Sequence, residues 1–161
     1  MTAVSDHLLI FELLDDLEAI VGLKEVFDGE QTFSRKVEDR SDWTLEVESG
    51  LSRASFDQLF TELLRNCDGN SIFIENTRNI LEPPGSTGTP VSIVSTMFAA
   101  RVASFYIVLR KVLGNSNQAV RFLISRHPEL NTMTPIEAAL TTNGAKNVFS
   151  IISRGLHGLP A

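Results

Sequence analysis

"TPVSIVSTMFAARVASFYIVLRKVLG", residues 89–114, is the stretch that decides the fold. Thr89 followed by Pro90 reads as an N-cap and first-turn pair, so a helix is expected to start there. Val91, Ile93, Val94, Met97, Phe98, Val102, Phe105, Tyr106, Val108, Leu109 and Val112 then make it apolar on most sides, up to a stop at Gly114. Arg110 and Lys111 fall in its last turn, where cations offset the helix dipole. A helix this apolar lies in the centre of a core or pairs with another chain. Both are expected at once, which makes the chain a homodimer.

Upstream, "EPPGSTGTP" (82–90) packs three prolines and two glycines into a loop. Before it, "GLSRASFDQLFTELLRN" (50–66) is helical. Ser52 or Ser55 caps it, and Phe56, Leu59, Phe60, Leu63 and Leu64 form one apolar face. "SIFIENTRNIL" (71–81) is ambiguous: Ile72 and Ile74 alternate like a strand, whereas Ile72, Asn76, Asn79 and Ile80 fit a weak helix. "WTLEVES" (43–49) alternates apolar and polar residues and predicts a short strand or extended arm near 43–48, with Trp43 as a core or interface plug. Residues 28–42 are polar and mixed in charge, and "FSRKVEDRSDW" (33–43) reads as a loop. At the start, Ser5 or Asp6 can cap a helix whose face is Leu9, Leu13, Leu14, Leu17 and Ile20, with Gly22 as a stop.

Downstream, "SNQAVRFLISRHPEL" (116–130) predicts a short helix with Ala119, Phe122 and Leu123 inward, ended by Pro128. "TPIEAAL" (134–140) has Thr134 as cap, Pro135 at the first helical position and Glu137 completing a capping box. "NGAKNVFSIISRGLHGLPA" (143–161) continues as a helix burying Val148, Ile151 and Ile152, until Gly155 and Gly158 release a short tail. The expected class is mainly α: a helical bundle, divided as 1–50 (helix and extended arm), 51–88 (helical region and Pro/Gly loop) and 89–161 (dimerising helix and C-terminal helical domain).

Bulk properties narrow the function. The chain has 161 residues, 43% of them hydrophobic, and a net charge of −6. That is enough apolar material for a core, and the acidity suits a basic protein partner better than a phosphate backbone. Cys67 is the single cysteine, and His7, His127 and His157 are scattered, so neither a disulfide nor a Cys/His metal site is expected. No catalytic or phosphate-binding motif stands out, and no cofactor is expected. Acidic residues interrupt the first apolar run, so it is not a signal peptide. No stretch reads as a membrane span of about 18 uncharged apolar residues, and a cytoplasmic location is expected.

The last fifty residues carry a resemblance. Leu113-Gly114 forms a turn, and a helix with Ala119, Phe122 and Leu123 follows. His127-Pro128-Glu129-Leu130 is a second turn. Thr134-Pro135-Ile136-Glu137 starts a helix, Gly144-Ala145 opens the next, and Arg154, His157 and Gly158 close the pattern. In this order, without a gap, the segment resembles the C-terminal domain of the Xre/MbcA/ParS antitoxins. It departs at Met133, where that family usually has Arg, at Asn143 in place of an acid, and at Gly155-Leu156 in place of Ile-Glu. "VESGLSRASFDQLFTELL" (47–64) is similar to the segment before the family's helix-turn-helix. In "CDGNSIFIENTRNILEPPGSTG" (67–88), which follows, the Ala-Leu-Gly turn is missing and the basic recognition helix is reduced to Arg78.

The resemblance implies a binding protein rather than an enzyme. In that family the antitoxin neutralises a RES-domain toxin, an NAD-consuming enzyme, by covering its active-site entrance with the C-terminal helix and tail. Carried over, partner contact falls to Arg154, His157, Gly158, Leu159 and Pro160, with Arg154 pairing with acidic groups and Leu159 filling a pocket. A glycine-freed tail suits a narrow cleft because its backbone can approach closely. The alternatives are a DNA-binding repressor of its own operon, which needs a basic helix within 68–82, and a stand-alone dimeric scaffold.

Overall fold

The long apolar helix is the axis of the structure. A computed structural model describes residues 6–156, which form ten α-helices and no strand. The helices are α1 (Ile10–Leu13), α2 (Asp16–Phe27), α3 (Gly29–Thr32), α4 (Arg40–Glu48), α5 (Arg53–Arg65), α6 (Ile72–Leu81), α7 (Ile93–Leu113), α8 (Ser116–Leu123), α9 (Pro135–Ala138) and α10 (Thr142–Leu156). Two 3-10 turns, Asp6–Leu8 and Pro128–Leu130, complete the order. The chain is mainly α, as its periodicity suggests.

Every residue of α7 from Phe98 to Leu109 is buried, and α2, α5, α8, α10 and the opening turn all pack against it. Its start lies three residues beyond Thr89: Ser92 is the cap and accepts from the Ser95 N–H (3.1 Å), while Thr89 Oγ1 accepts from the Arg53 N–H (3.2 Å). By length and composition α7 could cross a membrane, which corrects the expectation that no stretch could. In the fold, 78% of its most apolar window is buried by the rest of the chain. Its all-round apolarity is therefore met within one molecule. Its two ends are left open, with Ile93 62% and Val94 57% exposed at the start and Leu113 40% exposed at the close.

The N-terminal segment differs from its periodicity. The run splits at Leu14, whose extended backbone ends α1, and Asp15 caps α2 by accepting from the Glu18 N–H (2.8 Å). That break resets the helical phase. Leu14 is buried as expected, Ile10 is buried in place of Leu9 and Leu13, which are half-buried, Leu17 turns outward at 74% exposure, and the buried face of α2 is Ala19, Ile20, Leu23, Val26 and Phe27. Gly22 is not a stop. It sits in the middle of α2, where an added Cβ would lie 2.6 Å from Ile107 Cγ2, so its bareness lets α2 approach α7 closely.

Residues 43–48 are helical, not extended. Asp39 caps α4 by accepting from the Asp42 N–H (2.8 Å), and Trp43, Glu46 and Val47 point inward at helical spacing. A strand would have placed Leu45 on the same face as Trp43 and Val47; here Leu45 is 48% exposed. Trp43 is a fully buried core plug that stacks near Phe27 and Phe33 and donates from Nε1 to the His7 carbonyl (3.0 Å). With no second strand to pair with, the local cap and this tertiary anchor outweigh the alternation.

The ambiguous segment is also helical. α6 buries Ile74 and Thr77 and turns Ile72 and Ile80 to the surface. Ser52 caps α5, and Phe56, Leu59, Phe60 and Leu63 form its buried face. Arg53 holds the loop after α6 by donating to the Gly88 carbonyl (2.6 Å) and to Glu82 (2.7 Å). One hydrophobic core runs from Ile10 to Ile152, so the three segments of sequence share it.

Candidate functional site

The C-terminal end carries the residues singled out by the resemblance. Its scaffold begins at Thr134, which is fully buried. Thr134 Oγ1 accepts from the Glu137 N–H (3.1 Å), and Glu137 Oε1 accepts from the Thr134 N–H (3.0 Å), closing the capping box of α9. The next junction is tight. A Cβ on Gly144 would lie 2.0 Å from the Ala138 carbonyl oxygen, so glycine is what lets α10 fold back onto α9. The Gly144 N–H donates to Thr141 Oγ1 (3.0 Å).

Arg101 reaches this junction from the centre of α7. It is 8% exposed and donates to the Ala139 carbonyl (2.9 Å) and Thr142 Oγ1 (3.1 Å). A guanidinium in the interior must spend its donors on such acceptors, because leaving them unmet costs several kcal/mol, roughly 1–3 for each group. Arg101 thus locks the axis to the α9–α10 corner. Sequence reasoning passed over it, although a lone cation inside "FAARVAS" (98–104) was a signal that something buried awaited it.

The turn at 127–133 forms the other wall. The His127 N–H donates to the Met133 carbonyl (3.1 Å), and the His127 carbonyl accepts from Leu130 (2.9 Å) and Thr132 (3.0 Å). Asn131 and Thr132 both take left-handed backbone angles (φ 54° and 64°), which a β-branched residue such as Thr132 rarely adopts. Met133 packs its side chain partly against the core. The His127 ring lies 4.5 Å from that of Phe122, which is half-buried where the sequence had pointed it fully inward; Val120 joins Ala119 and Leu123 on the buried face of α8.

Arg154 lies in α10 and forms an ion pair with Glu129 of this turn. Its Nε and the His127 Nε2 are buried with no hydrogen-bond partner among the described residues. Gly155 remains helical, so α10 runs on through Leu156 rather than releasing a tail at Gly155. His157, Gly158, Leu159 and Pro160 lie outside the described residues. The structure therefore brings Arg154 together with Glu129, a residue the sequence reading did not assign to it.

The region in which a DNA-reading helix was sought is α6. Its one basic side chain, Arg78, donates to Asp57 (2.8 Å), and Glu75 faces solvent in its first turn. Elsewhere, two polar networks hold the core. Tyr106 is buried, donates to Glu62 Oε2 (2.7 Å) and receives a bond from Asn66 (3.2 Å). Burial, opposed by a bond to Ser116 and reinforced by the Glu62 carboxylate, pushes its hydroxyl up to about 12. Burial would also raise Glu82, but hydrogen bonds from Ser95 and Arg53 overcome it and hold that carboxyl below its ordinary range. No group of three or more metal-ligating side chains occurs among the described residues.

No protein-family model matches this chain, and no curated protein matches it at a significant level.

Proposed function

We propose that this chain is an antitoxin-like binding protein whose C-terminal helix and tail cover the active site of a RES-domain, NAD-consuming toxin. The observation that carries the reading is the wall between α10 and the 127–133 turn. There a strained Thr132, the Glu129–Arg154 ion pair, and two buried nitrogens without partners among the described residues fall in the elements through which the antitoxin resemblance runs. Strain and unmet polar groups gather where a molecule is built to meet something else. Thr134, Glu137 and Gly144, all part of that resemblance, each have a defined task in aiming α10.

Arg154 already has an acidic partner in Glu129, so an acidic group of the toxin would share or replace that contact. Exchange between two carboxylates keeps the guanidinium paired in both states, which lowers the cost of binding. A protein is favoured over an operator because the one basic side chain of α6, Arg78, is already paired with Asp57.

The test is co-expression of a RES-domain toxin encoded beside this chain with the full protein and with a version lacking residues 154–161, reading cellular NAD. The full chain is expected to restore NAD and the truncated one to fail. Full protection by the truncated chain would overturn the covering role, and failure of both would overturn the antitoxin reading.

A further inference from the structure

Far from the α9–α10 corner, a cavity of about 430 Å³ opens between the end of α2, α3 and the segment after it. Lys24, Phe33, Ser34, Arg35 and Lys36 line it, together with one acid, Glu30. On a chain of net charge −6, three cations in one concavity are a local reversal of sign.

The cavity is built rather than incidental. Glu46, fully buried in α4, accepts from the Ser34 N–H (2.9 Å), the Ser34 hydroxyl (2.7 Å) and Arg35 Nε (3.2 Å). A buried carboxylate is thereby used to hold residues 34–35 in place. The Phe33 ring is fixed by its neighbours Phe27 and Trp43, with centroids 5.8 and 5.7 Å away, and a Cβ on Gly29 would lie 2.5 Å from that ring. The wall is formed before any ligand arrives, so ordering it adds little to the cost of binding.

The three cations are not equivalent. Glu46 already neutralises Arg35. Lys36 is only loosely paired, 3.7 Å from Glu38 with both side chains mostly exposed, a contact worth little. Lys24 is half-buried and has no ion pair among the described residues. The adjoining groove, of about 300 Å³, shares Lys24 but is otherwise lined by Glu25, Asp28, Glu30 and Val21. Glu30 borders both spaces, and the cations gather only on the side of Lys24 that faces residues 33–37.

We propose that this cavity binds a small organic anion, with its apolar body against Phe33 and its carboxylate, phosphate or sulfonate between Lys24 and Lys36. The volume suits a ligand of one or two rings. The test is a nuclear magnetic resonance titration of the full chain with benzoate, and with benzyl alcohol as the neutral match in shape. Benzoate is expected to give saturable shifts confined to residues 24 and 29–37, with benzyl alcohol bound about tenfold more weakly. Lys24→Gln and Lys36→Gln are each expected to weaken benzoate severalfold while leaving Trp43 fluorescence unchanged, since neither lysine holds the core. Shifts scattered over the surface, equal affinity for the alcohol, or unaltered benzoate binding by both variants would each overturn the proposal.

Discussion

Single residues decide how the corner of α9 and α10 closes. Gly144→Ala would drive a methyl into the Ala138 backbone, whose carbonyl carbon would lie 2.8 Å from the new atom. It is expected to cost about 3 kcal/mol in urea unfolding. Gly155→Ala, in the same helix, meets nothing closer than 4.0 Å and is expected to stabilise by about 0.5–1 kcal/mol. A pair of opposite signs would separate close approach from helix propensity. Arg101→Met would leave the Ala139 carbonyl and Thr142 without their donor and is expected to cost about 2–4 kcal/mol. Tyr106 sets an alkaline limit. It keeps its proton to about pH 12 when folded, against 10.0 for the free group, so ionisation favours the unfolded chain. Stability is expected to be full below pH 10 and to fall between there and pH 12, and Tyr106→Phe should flatten that slope. Glu82 acts in the opposite direction: its carboxyl is held low in the fold, so its contribution is present above the ordinary glutamate range and fades as the pH drops through the folded value. Of these residues, Gly144 stood out in the sequence because glycine before alanine at a helix start is conspicuous. Arg101 and Glu46 did not, since their partners lie 38 and 12 residues away.

At the level of elements, what was legible depended on whether a local signal and a tertiary one agreed. α9 was legible because Thr134, Pro135 and Glu137 form a complete capping box within four residues. α5 was legible because its cap and apolar face share one phase. α4 was misread because Trp43, Leu45 and Val47 alternate, and only the Asp39 cap and the His7 carbonyl reveal the helix. The N-terminal run was misread for a related reason: a break of one residue at Leu14 moved Leu17 to the outside. α4 therefore rests on its cap, and Asp39→Ala is expected to lower stability by about 1 kcal/mol and to reduce helical circular dichroism signal. On α6, Ile74→Ala is expected to cost about 2–4 kcal/mol, whereas Ile80→Glu, at a position 74% exposed, should change stability by under about 0.5 kcal/mol. In the candidate partner site, the order of turns and caps was readable from the chain, but the Glu129–Arg154 pairing was not, because two charges 25 residues apart leave no periodic trace.

For the whole molecule, one core has a measurable consequence. Trp43 is the single tryptophan, fully buried near the start of the chain, while Gly144 lies near its end. Because α7 joins both regions, Trp43 fluorescence and far-ultraviolet circular dichroism are expected to report the same urea midpoint, and Gly144→Ala should shift both equally. Two separated midpoints would mean that the halves unfold independently. The chain itself covers α7 from Phe98 to Leu109, which leaves Ile93, Val94 and Leu113 at its two ends as its exposed apolar residues. Another consequence comes from the opening turn, Asp6–Leu8, which packs against both α7 and α10. Head and tail of the fold are neighbours, so the order in which the helices are synthesised is not what holds them together. A circular permutant, with a glycine-serine linker joining the original ends and new ends cut at Gly85, which is exposed and where an added Cβ would meet nothing within 4 Å, should therefore fold to the same helical content and the same Trp43 emission.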